Sequence, residues 1–160
     1  MNKSVLKIIT LLSIFLGIVS GLLTIIPYAG EIVFLLLLVL AAPAVILFLT
    51  NQKVLEIETV RQSVVIGGLI GFVSFLAFSA VYFPAVILLA RIFNYSSNYG
   101  VSMFVSHASF GLLVMLAVFM GVLAATINAF SGFVTYYLIE FNKSLKTPKN
   151  FEDTQFNIRK

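Results

Sequence analysis

Cysteine and tryptophan are both missing from this chain, histidine occurs once, and only 10% of its 160 residues are charged. Without cysteine there is no disulfide, no thiolate metal site and no cysteine nucleophile. His107 has no second imidazole with which to share a zinc ion, so the usual zinc constellations are closed as well. Neither a metal nor a cofactor is expected. Charge this sparse cannot cover a water-soluble globule in which 61% of residues are apolar, so the natural solvent is lipid.

Acids are scarce in a telling way. Glu31, Glu56, Glu58, Glu140, Glu152 and Asp153 all fall outside or at the very ends of the apolar blocks. Pumps and exchangers depend on an ionisable group at membrane depth, and none is placed there. Intramembrane proteolysis needs a serine with a histidine, or two aspartates, at the same depth; His107 lies at a block edge and Asp153 in the polar tail. "GGLIG" at 67–71 lacks the Lys-Ser/Thr of a phosphate loop. The chain is therefore not expected to be an enzyme.

What is present is four long apolar blocks, each near or above the roughly 20 residues that cross a bilayer. The spans are expected at about 8–26, 32–50, 64–90 and 107–139. "PYAGE" after the first is a tight turn, "NQKVLEIETVRQS" is a charged connector, and "NYSSNYG" is a second polar connector. Lys3 and Lys7 before the first block suggest a secretory signal, but the run is long and Pro27 spoils a cleavage site, so a retained anchor is the reading. Residues 140–160 form a basic tail, expected to be cytoplasmic and disordered.

Four spans put both termini and the 51–63 connector on one side. That side holds Lys3, Lys7, Lys53, Arg61, Lys143, Lys146, Lys149, Arg159 and Lys160, leaving only Arg91 opposite. The bias predicts cytoplasmic termini in a bacterial-type inner membrane. The net charge of +4 thus reflects topology, and no nucleic-acid partner is expected. Lys143, Lys146 and Lys149 are candidates for contact with anionic lipid. Ser102, Ser106 and Ser109 recur at helical spacing around His107, which suggests the wet first turn of one over-long fourth helix.

Small residues form a stripe on three spans. They are Ser13, Gly17, Ser20, Gly21 and Thr24 in the first, and Ser63, Gly67, Gly71 and Ser74 in the third. The fourth carries Ala117, Gly121, Ala124, Asn128, Ser131 and Thr135. Such stripes let helix backbones approach closely in lipid, so Gly17, Gly21, Gly67, Gly71 and Gly121 are expected packing positions. Asn128 lies about 16 Å along the axis from Ile139, near mid-bilayer. Its amide is expected to bond a serine, a threonine or a backbone carbonyl of another helix, or to line a pathway with Thr126 and Ser131. Pro43 and Pro84 fall inside spans and should kink them.

The expectation is an all-α polytopic membrane protein with a four-helix transmembrane bundle at 1–139. It would act without catalysis, as a structural, accessory or interaction subunit embedded in the lipid bilayer and associating with itself or another membrane protein. The alternative is a small permease or channel subunit whose pathway forms in an oligomer.

Overall fold

The computed structural model describes residues 3–96 and 98–146. Lys149, Glu152, Asp153 and the remainder of 147–160 lie outside the described residues, as does the Lys146 side chain. Within the described residues the chain forms five helices and no strand: α1 Lys3–Leu23, α2 Ala29–Asn51, α3 Val60–Phe93, α4 Tyr99–His107 and α5 Phe110–Lys146. Helices α1, α2, α3 and α5 are long and apolar enough to cross a membrane. At about 1.5 Å per residue, α3 and α5 are about 51 and 56 Å long, well beyond the roughly 30 Å of a hydrocarbon core.

The turn between α1 and α2 works differently from a glycine turn. Tyr28 takes the positive φ of 64°, while no glycine in the described residues has a positive φ. Gly30 is needed for room instead, because a Cβ there would collide with the Thr24 carbonyl oxygen. Helix α3 begins at Val60, ahead of the expected 64, because "TVRQ" caps it: Thr59 Oγ1 accepts the Gln62 N–H at 3.3 Å. The connector before it is more than a charged loop. Leu55 and Ile57 are buried while Glu56 and Glu58 point out, so alternate residues close that end of the bundle.

The expected fourth span is two helices. Ala108 is extended (φ −67°, ψ 142°), ending α4, and Ser109 Oγ accepts the Leu112 N–H at 3.3 Å to start α5. The serines at helical spacing therefore do not share one helix: Ser102 is buried in α4, whereas Ser109 caps α5. At the other end α5 continues through Glu140 to Lys146, so the first part of the expected disordered tail is helical. Lys143 Nζ meets Glu140 Oε1 at 3.2 Å one turn back, which supports this extension modestly.

Register follows from the glycines. A Cβ on Gly17 would meet Ser74 and Ala77, and one on Gly21 would meet Phe78 and Val81, so contacts advance together and α1 runs parallel to α3. A Cβ on Gly67 would meet Asn128 and Ala129, whereas one on Gly71 would meet Ala124, so α5 runs antiparallel to α3. Helix α3 is the hub, touching α1, α2, α4 and α5.

Candidate functional site

The site is built where α2, α3 and α5 meet. Gly67 and Gly71 on α3 carry no side chain, and their place is taken by the α5 backbone itself. A Cβ on Gly67 would collide with the Asn128 carbonyl oxygen, and one on Gly71 would lie 2.6 Å from Asn128 Cβ. From the α5 side, Gly132 does the same, since its Cβ would lie 2.7 Å from the Ser63 carbonyl oxygen. Ser63 Oγ donates to the Gly132 carbonyl at 2.7 Å and closes this end of the contact with a hydrogen bond between helices.

This close approach presses Asn128 against α2. Its side chain is 0% exposed. Oδ1 accepts the Ala42 N–H at 2.8 Å, and Nδ2 donates to the Leu38 carbonyl at 2.7 Å and to the Ala124 carbonyl at 3.0 Å. Both amide hydrogens are spent. The flipped amide would set its oxygen against two carbonyls and its NH2 against an N–H, so the surroundings admit one orientation.

Ala42 and Leu38 are four residues apart, the spacing of a helical rung, and the amide therefore grips the donor and the acceptor of one turn of α2. Pro43 follows directly. It has no N–H, so it removes the next rung, to the Val39 carbonyl, and loosens the helix at the point that Asn128 braces.

The remaining candidates are placed elsewhere. Thr126 is exposed on the outer face of α5, and its hydroxyl bonds its own helix at the Val122 carbonyl, 3.0 Å away. Ser131 is half-buried and lends its carbonyl to Thr135 Oγ1 at 2.7 Å. The three polar residues proposed as a group thus do not share one face. Gly17 and Gly21 lie at the α1–α3 contact, and Gly121 faces the Phe72 ring, which a Cβ on Gly121 would approach to 3.3 Å. His107 ends α4, exposed, with Nδ1 2.8 Å from the Met103 carbonyl.

Sequence reasoning passed over Gly132, Ala42 and Leu38. Gly132 had a signal: Ala124, Asn128 and Gly132 recur every four residues. Ala42 and Leu38 had none, since they contribute only main-chain atoms.

The fold defines a class, an all-helical chain with four helices able to span a bilayer, compatible with a multi-pass membrane protein. No family model, curated protein or solved structure matches this chain significantly.

Proposed function

We propose that this is a non-catalytic, multi-pass protein of a bacterial-type cytoplasmic membrane that acts as a structural or accessory subunit, packing against itself or another membrane protein. The saturation of Asn128 carries the reading. A group that lines a pathway keeps hydrogen-bonding capacity for what passes, whereas this amide has spent both hydrogens on backbone carbonyls. In lipid such a bond contributes roughly 0.6–2 kcal/mol to helix association.

Helix α5 supplies the surface for a partner. It is the least enclosed of the four long helices, and Phe130, Phe133 and Tyr137 form a run of rings on its outward face, with centroids 6.1 and 5.0 Å apart. Both termini are assigned to the cytoplasm from the distribution of Lys and Arg. Lys143, exposed and ion-paired to Glu140, would sit at that surface near anionic headgroups.

Two experiments test this. Reporter fusions within 51–63 and at Lys160 should read cytoplasmic and a fusion near Ser97 external; an external reading at Lys160 contradicts the assigned topology. Photo-cross-linkable residues placed at Phe119, Phe130 and Tyr137 in intact membranes should yield one discrete, near-stoichiometric adduct, either a self-dimer or a single other membrane protein. Adducts to lipid alone would refute the accessory role.

A further inference from the structure

Asn128 lies toward one end of the α3–α5 contact, and toward the other the bundle opens. A cavity of about 520 Å³ lies between the Pro27 turn, the first turns of α2, and α3, α4 and α5, a size in the range of small-molecule sites. We propose that this cavity binds a lipophilic organic cation. An accessory role does not require such a site, so the inference stands apart from that reading.

The walls are aromatic. Phe34 meets Phe75 edge-on with centroids 6.2 Å apart, Phe78 stacks on Tyr82 at 5.1 Å, and Phe83 follows at 6.3 Å. Ring faces carry negative electrostatic potential and attract a desolvated cation more than a neutral or anionic group. Such rings also present a broad apolar surface to the organic part of an amphiphile.

The charge of the cavity agrees. Among the described residues Glu31 is the sole charged one lining it, and no lysine, arginine or histidine does so. Glu31 forms no ion pair among the described residues and is exposed, so its carboxylate remains hydrated and available at the rim. Arg91 lines a different pocket, with Tyr95 and His107.

Two of the neutral polar groups are already committed. Thr24 Oγ1 donates to the Ser20 carbonyl at 2.7 Å, and Asn98 Oδ1 accepts the Val101 N–H at 3.2 Å to cap α4. The lining is mostly apolar, which suits a sugar or other polyol less than an amphiphile. An anion would meet Glu31, and a cation with apolar substituents uses both the rings and the carboxylate.

The test uses the purified full chain in nonionic detergent and two ions of nearly the same shape and opposite charge, tetraphenylphosphonium and tetraphenylborate. Binding is measured by equilibrium dialysis after subtraction of partition into protein-free micelles. The phosphonium should bind saturably, one per chain, and about tenfold or more tighter than the borate. Glu31→Gln should weaken the phosphonium about two- to fivefold, Glu31→Asp should retain most of the affinity, and Phe78→Leu should weaken it several-fold. Glu31 is exposed, so its variants are expected to fold, and gel filtration checks that they do. Equal binding of the two ions, absence of saturable binding, or full affinity in folded Glu31→Gln would each overturn the proposal.

Discussion

Helix α3 meets its neighbours in two ways along its length. From Ser63 to Gly71 the residues turned toward α5 are small, and the α5 backbone comes so close that Gly67 and Gly71 have no room for a methyl group. From Phe75 to Phe83 the same helix presents rings, and they line a partly open cavity. One stretch gains dispersion contacts and short hydrogen bonds to α5, whereas the other leaves space on its α5 side. Toward α5, side-chain size along α3 thus divides the contact into a fastened part and an open part, while α1 stays close to α3 beside the rings, with Gly17 against Ser74 and Gly21 against Phe78 and Val81. Asn128 belongs to the fastened part, because only there does α5 bring an amide within reach of the α2 backbone.

The largest expected effect comes from two adjacent glycines. Gly67→Ala should destabilise the bundle by about 3 kcal/mol, since its Cβ would collide with the Asn128 carbonyl oxygen and backbone cannot yield easily. Gly68→Ala should be neutral or raise stability by up to about 1 kcal/mol, because its Cβ would find ordinary contacts, 3.6 Å from the Ala125 carbonyl oxygen and 3.7 Å from Ala129 Cβ. Equilibrium unfolding in mixed micelles measures both. Similar values at the two positions would remove the distinction between a fastened face and an ordinary one.

Asn128→Leu should cost less, about 1 kcal/mol. Ala42 N–H and the Leu38 carbonyl are the donor and acceptor of one rung of continuous α2 and keep each other as partners when the amide is gone, so the loss is confined to the tie between helices. Hydrogen exchange at the Ala42 amide in this variant should stay slow; rapid exchange would show that α2 itself depends on Asn128. Ser63→Ala should cost about 0.6 kcal/mol through its lost bond to the Gly132 carbonyl, read in the same unfolding assay. Smallest of all, Gly121→Ala should change stability by less than about 0.5 kcal/mol. Its Cβ would lie 3.3 Å from the edge of the Phe72 ring, a side chain that can shift toward the open part. A loss at Gly121 as large as at Gly67 would mean that the bundle is fastened along the whole of α3.

Hydropathy made the four long helices legible, because crossing a bilayer requires uninterrupted apolar sequence and little else in this chain is apolar. The finer boundaries depended on single polar atoms. Thr59 and Gln62 announce the start of α3 to a reader looking for caps, whereas the break at Ala108 is obscured by serines that continue a helical period across it. Spacing offered stripes of small residues, but which helix meets each stripe is a property of the assembled bundle. The partner of Asn128 was least accessible. Helix α2 is apolar on every side and gives Asn128 only backbone atoms, which leave no trace in a pattern of side chains. The cavity was hidden for a related reason: Phe75, Phe78 and Tyr82 repeat as any buried face does, and whether rings fill a space or frame one depends on the opposing helices.

Asn128 commits its amide to holding α5 on α2. Asn128→Asp tests this most directly, because a carboxylate oxygen in place of Nδ2 would face the Leu38 and Ala124 carbonyls, acceptor against acceptor. Folded yield and cation flux in reconstituted vesicles should be measured together for this variant and the parent. A sharply reduced yield of folded protein is expected, with the flux of whatever does fold indistinguishable from the parent. A well-folded Asp variant with altered flux would contradict it and place Asn128 beside water.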